Sequence, residues 1–136
     1  MPTAATDTFT YDALMPFMNP EKAALMHVPL AEDDYAKGTI LGEITATGLY
    51  AAYATAAVDG TGVAKVILQY ACTVDSSNNI TIADGSGLTS KTAPVYLAGQ
   101  GCIWESADLT GLDADGLVDM HGSIMQGDLT TGLVVI

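Results

Sequence analysis

The chain has 136 residues and a formal charge of −12, from 4 basic and 16 acidic side chains with no arginine among them. That balance excludes nucleic-acid binding by phosphate neutralisation, which needs several cations on one face, and argues against an anionic membrane as partner. With 49% hydrophobic and 15% charged residues the chain is too apolar for disorder along its whole length, and it lacks the run of about 18 apolar residues that a membrane-spanning helix requires.

Residues 1–30 differ from the rest and read as an arm. Pro2, Pro16, Pro20 and Pro29, four of the five prolines, fall here. Proline removes a ladder donor and restricts its predecessor, so a central strand is excluded. An extended chain is expected, with at most a short helix from Glu21 to His27 that Pro20 would start. Phe9, Tyr11, Leu14, Met15, Phe17 and Met18 give this arm an apolar cluster with few charges. Two arrangements fit such a terminus: packing on its own body, or waiting for a partner.

From Gly38 onward, in a body spanning residues 31–136, the texture is β. Gly38–Glu43 and Leu49–Thr55 read as strands around a Thr-rich connection at Gly48. Asp59-Gly60-Thr61-Gly62 is a turn. Val63–Val74, the longest apolar run, reads as a central strand, and Asp75–Asn79 as a loop. Ile80–Ala83 is a short strand ended by Asp84-Gly85-Ser86-Gly87. Ala93–Ala98 and Cys102–Glu105 are strands on either side of a glycine bend. Leu112, Leu117, Val118, Met120, Ile124 and Met125 carry loose helical spacing. Asp113 and Asp115 sit where a helix N-terminus favours negative charge, while Gly116 and Gly122 oppose a helix. Gly127 would stop it, and Gly132–Ile136 is a closing strand. Many short strands cut by glycine turns predict a mainly β fold. The expected form is a compact small β-barrel or sandwich-like body, with one short C-terminal helix and a flexible N-terminal arm.

Reactive chemistry is sparse. Asp113-Ala-Asp115-Gly116 begins like a calcium loop, but its twelfth position is Ile124, where an EF-hand needs a bidentate glutamate. The Asp-Gly pairs at 59, 84 and 115 are simpler as turns with a positive φ. His27 and His121 lack zinc-ligand spacing. Asp59–Lys65 lacks the residue order of a phosphate loop, and no serine belongs to a GxSxG elbow. Glu32-Asp33-Asp34 reads as a solvated face. Neither a metal nor a cofactor is expected, and no enzymatic activity. The N-terminus has no basic segment followed by an apolar run, so no secretory signal is expected. Cys72 and Cys102 are expected as buried, reduced thiols of a cytoplasmic compartment, a bridge between facing strands being the alternative.

The order of segments carries a resemblance. After a Thr/Pro arm come Lys37-Gly-Thr-Ile-Leu-Gly42, Asp59-Gly60 leading into Ala64-Lys-Val-Ile-Leu68, then Val74-Asp75, Ala93-Pro-Val-Tyr-Leu97 and Ile103–Leu109. Over residues 30–136 the chain resembles the lambda-type bacteriophage head decoration proteins, with Ser76–Thr92 as an insertion relative to the leanest members. The resemblance implies a β-rich homotrimer on the outer surface of the expanded capsid, at three-fold and quasi-three-fold positions. Assembled in the host bacterial cytoplasm, it would clamp major capsid protein subunits against the pressure of the packaged genome. It implies no catalytic residue, no nucleic acid and no membrane among the partners. The arm would then bind the capsid through Phe9, Tyr11, Leu14, Met15, Phe17 and Met18, by strand addition. Tyr50, Tyr53, Tyr96 and Trp104 fit either a trimer interface or the body's own core. The rival reading is a β-rich surface or tail-associated module for a glycan or cell-envelope ligand, with Trp104, the tyrosines and the Asp-rich loops as its site.

Overall fold

The computed structural model describes residues 13–14, 24–97, 103–120 and 134–135. In these the fold is mainly β. Strands β1 (Leu25–Val28), β3 (Ile40–Glu43), β4 (Tyr50–Ala52), β5 (Val66–Leu68) and β9 (Ala93–Leu97) form one antiparallel sheet in the order β1-β9-β5-β3-β4. A second antiparallel sheet has the order β2-β6-β7-β8, from Asp33–Tyr35, Cys72–Val74, Ile80–Ile82 and Thr89–Ser90. β10 (Ile103–Trp104) and β11 (Val134–Val135) add a small parallel pair. The two large sheets are sandwich-like and do not close into a barrel. A single bridge, Leu30 to Tyr50, ties the chain after β1 to the far edge strand β4.

Strand alternation explains the layering. Side chains of successive residues point to opposite faces of a sheet. In β5, Val66 and Leu68 enter a core shared with Val28, Leu41 and Val95 of the first sheet and Tyr35, Cys72, Val74 and Ile80 of the second. Ile67, between them, enters a second core with Leu14, Ile40, Tyr53, Ala64, Tyr96, Trp104 and Met120. β3 and β9 divide in the same way, Leu41 against Ile40 and Val95 against Tyr96. β5 and β9 therefore read as unbroken apolar runs because both of their faces are covered. Full burial of each such side chain stabilises the fold by roughly 1.5–3 kcal/mol.

The second core is closed by helix α1 (Ala114–Met120). Asp113 caps it, its Oδ1 accepting the Gly116 N–H at 2.7 Å, the bond of an N-cap to the third helical residue. The same oxygen accepts the Tyr53 hydroxyl at 2.7 Å. Gly116 lies inside the helix, not in a turn, for a steric reason: a Cβ there would come within 2.9 Å of Tyr53 Cε2. Asp59-Gly60 is a turn as expected, with φ +112° at Gly60 and with Asp59 Oδ1 accepting the N–H and hydroxyl of Thr61.

Three local expectations are corrected. Leu25–Val28 is a strand and not the end of a helix, because its register against Tyr96–Ala93 buries Val28, and the Leu97 N–H donates to Ala24 O just before it. It is an edge strand, consistent with its proline-rich surroundings. The run Val63–Val74 is two strands, β5 and β6, in different sheets. The chain turns at Gln69–Ala71, and Cys72 then pairs with Tyr35 of the second sheet. Asp33 and Asp34 are solvated, yet they belong to edge strand β2, whose buried residue is Tyr35. The Ser76–Thr92 stretch supplies β7 and β8.

Candidate functional site

β1 ends the larger sheet on one side. Leu25 and Met26 are 49% and 36% exposed, His27 is exposed, and among the described residues no strand pairs with its outer side. An edge with unpaired backbone groups and neutral side chains is a template for another strand. The other edges differ. The outer side of β4 is engaged at Tyr50, whose N–H donates to Pro29 O at 2.8 Å and whose carbonyl accepts from Ala31 N at 2.9 Å. β2 carries Asp33 and Asp34, and β8 is only two residues long. The neutral, apolar edge is thus the one on which the N-terminal arm enters the body.

Within the arm the structure describes Ala24 onward and one earlier point, Ala13–Leu14. Leu14 is 2% exposed. Its N–H donates to Gln69 O at 2.7 Å, and its carbonyl accepts the Tyr96 hydroxyl at 2.6 Å. Gln69 Nε2 donates to the same hydroxyl oxygen at 3.1 Å. Pro94 explains why Gln69 O is available. Gln69 N–H donates to Pro94 O at 3.2 Å, as one half of an antiparallel hydrogen-bonded pair. Proline has no N–H to return the second bond, so the Gln69 carbonyl takes the Leu14 N–H instead.

Of the other arm residues expected to bind, Phe9, Tyr11, Met15, Phe17 and Met18 lie outside the described residues. Tyr53, Tyr96 and Trp104 fill the second core together with Leu14, one of the two placements the sequence left open for these aromatics. Tyr96 and Trp104 meet edge to face with ring centroids 5.0 Å apart. Trp104 is 1% exposed, and its Nε1 has no hydrogen-bond partner among the described residues. Tyr50 is half-buried against the other core. The Leu14 socket was missed by sequence reasoning, although a proline inside a strand-like run is the signal of a carbonyl left without its ladder partner.

Among the described residues the remaining surface holds little reactive chemistry. A shallow cavity of about 400 Å3 on the second sheet is lined by Asp34, Tyr35, Cys72, Thr73 and Thr81, among others. Burial pushes the Cys72 thiol up to about 11 and, with the nearby Asp33 charge, the Tyr35 hydroxyl up to about 12. Both are therefore protonated near neutral pH, and the thiol is a poor nucleophile. Cys72 is a free thiol; Cys102 lies outside the described residues. No group of three or more metal-ligating side chains occurs among the described residues, and no described helix is long and apolar enough to cross a membrane.

A two-sheet body with an apolar arm root and, among the described residues, an unpaired edge without acidic side chains has the features of an assembly protein. Residues 22–93 match the family model HDPD, Bacteriophage lambda head decoration protein D. The match covers more than half of the chain, from just before β1 to the first residue of β9, and the chain belongs to this family of structural phage proteins. It is a phage head decoration protein, and the surface of the virion capsid is its place. No curated protein and no solved structure matches the chain.

Proposed function

We propose that the protein is a cement for the expanded phage head, binding as a homotrimer to the major capsid protein and stabilising the shell against its packaged genome. The observation that carries this reading is the family match, whose span includes the exposed edge β1. A capsid strand added to Leu25–His27 would gain main-chain hydrogen bonds, with Leu25 and Met26 offering side-chain contacts. The arm, residues 1–30, adds Phe9, Tyr11, Met15, Phe17 and Met18 as anchors. Three arms act together, and multivalency raises avidity by about 10² to 10⁴ over one arm. Of the four aromatic residues considered for a subunit interface, Tyr50 has side-chain surface left to contribute. The charge of −12 keeps free protein soluble and away from nucleic acid.

Cosedimentation with expanded and unexpanded heads tests the proposal, with capsid heat resistance measured alongside. Binding to expanded heads and a raised disruption temperature are expected. Light scattering should give three times 14.0 kDa. A monomer that ignores expanded heads would refute the proposal.

A further inference from the structure

We propose that Gln69 and Tyr96 form a peptide-binding socket whose ligand is the chain's own Leu14, and that this socket roots the capsid-binding arm on the body. The inference rests on the cement reading for the arm's purpose, but the socket itself stands on geometry. Both main-chain groups of one residue are held: the Leu14 N–H by Gln69 O, and its carbonyl by the Tyr96 hydroxyl. Its side chain is enclosed in the second core. The acceptor exists because Pro94 cannot fill it, and the hydroxyl is itself oriented by Gln69 Nε2. The chemistry selects an extended residue with a free N–H and a branched apolar side chain. Proline at this position would fail for want of the donor.

Rooting changes which arm residues can reach a partner. Residues 15–23 are tied at both ends, at Leu14 and at Ala24, whose carbonyl accepts from Leu97 N at 3.0 Å. Residues 1–13 are joined to the body only through the socket, and a chain of that length spans at most about 45 Å when extended. Phe9 is five residues from Leu14 but fifteen from Ala24. Effective concentration falls roughly as the −3/2 power of tether length, so loss of the root costs about fivefold in affinity for each engaged arm. Phe9 and Tyr11, joined to the body at one end only, are therefore the reaching anchors, while the chain that carries Met15, Phe17 and Met18 is fixed at both Leu14 and Ala24.

The test uses the full chain and two variants, Tyr96→Phe and Leu14→Ala. Amide exchange at position 14 reads the socket, emission from the single tryptophan, Trp104, reads its core, and cosedimentation with expanded heads reads the arm. The wild-type Leu14 amide should be protected. Tyr96→Phe keeps the ring and the cooperative unfolding transition but should speed that exchange about tenfold, as expected for one lost hydrogen bond. Leu14→Ala, which empties the socket, should bind heads more weakly by at least the single-arm factor, and Tyr96→Phe, which weakens the root without removing it, by less. An unprotected Leu14 amide in the wild type would overturn the socket. Faster exchange in Leu14→Ala with wild-type head binding would overturn its role in rooting the arm. Wild-type protein that fails to bind heads while Leu14 stays protected would refute the cement reading and still support the socket.

Discussion

Pro94→Ala isolates the cause assigned to the Leu14 contact. The substitution returns an N–H to position 94, directly opposite Gln69 in the hydrogen-bonded register of β5 and β9. That N–H competes with Leu14 for Gln69 O. A new ladder bond contributes about 0.5–1.5 kcal/mol. Removing a proline from a conformation it fits costs about 0.4–1 kcal/mol through the unfolded chain. The two terms nearly cancel, so global stability should change by less than about 1 kcal/mol. At the same time the Leu14 N–H gives up part of its bond, and its exchange should accelerate by up to about tenfold, the value of one hydrogen bond. The assay pairs urea unfolding with residue-resolved hydrogen exchange on the same sample. Pro94 N faces β5 and not β1, because His27 sits opposite it at a non-hydrogen-bonded position; β1 exchange should therefore stay unchanged and serves as the internal control. Unaltered protection at Leu14, with the amide introduced at position 94 itself protected, would refute the vacancy argument. Gln69 O would then serve both donors at once.

Three further outcomes follow from the packing and charges. Gly42→Ala should destabilise the fold by roughly 1–3 kcal/mol in urea unfolding, because its Cβ would lie 2.6 Å from Val63 O and 2.8 Å from Thr61 Cα, both backbone atoms. Met26→Lys, on the exposed edge, should change stability by less than about 0.5 kcal/mol while lowering head binding in cosedimentation, since a charge on that edge repels an added strand. The bonds from the Gly116 N–H and the Tyr53 hydroxyl hold the Asp113 carboxyl below its ordinary 3.8. A depressed folded value means stabilisation that is present above 3.8 and lost as pH falls through the folded value. The melting-temperature gap between wild type and Asp113→Asn should therefore be open at about pH 7 and close on acidification below 3.8, and a gap independent of pH would contradict the assignment.

Legibility in the sequence followed the number of covered faces. β5 and β9 were readable because burial on both sides leaves nothing but apolar residues, and β3 because Ile40 and Leu41 are buried on opposite faces. The caps and turns at Asp113 and Asp59-Gly60 were readable because their chemistry is local. β1 and β2 were not, since an edge strand needs only one buried residue, Val28 or Tyr35, and exposes the others to solvent like any loop. The break at Gln69–Ala71 was hidden for the opposite reason: a chain that leaves one core and enters another stays apolar throughout. The Leu14 socket joins positions 14, 69, 94 and 96, and a contact of that sequence separation leaves no local pattern. Its one trace was Pro94 within Ala93–Leu97, where a missing donor on one strand implies a carbonyl open to a third segment.

The edges of the two sheets differ in a way that bears on assembly. A protein that adds strands to a partner must leave one edge receptive and still avoid pairing with its own copies in solution. Here the acidic residues Asp33 and Asp34 guard β2, β8 is too short to template a partner, and the backbone of Pro29–Ala31 occupies β4. Among the described residues Leu25–His27 is left receptive and carries no acidic side chain. With a chain of net charge −12, two such edges approach each other against like-charge repulsion, whereas a capsid strand of complementary potential does not. Raising salt shortens the screening length from about 10 Å at 0.1 M to about 3 Å at 1 M. Self-association of free protein should therefore rise with salt while the rate of head binding falls, and light scattering beside a binding time course separates the two. A head-binding rate indifferent to salt would mean that apolar contacts alone steer the encounter, and that the charge pattern around β1 has no part in partner choice.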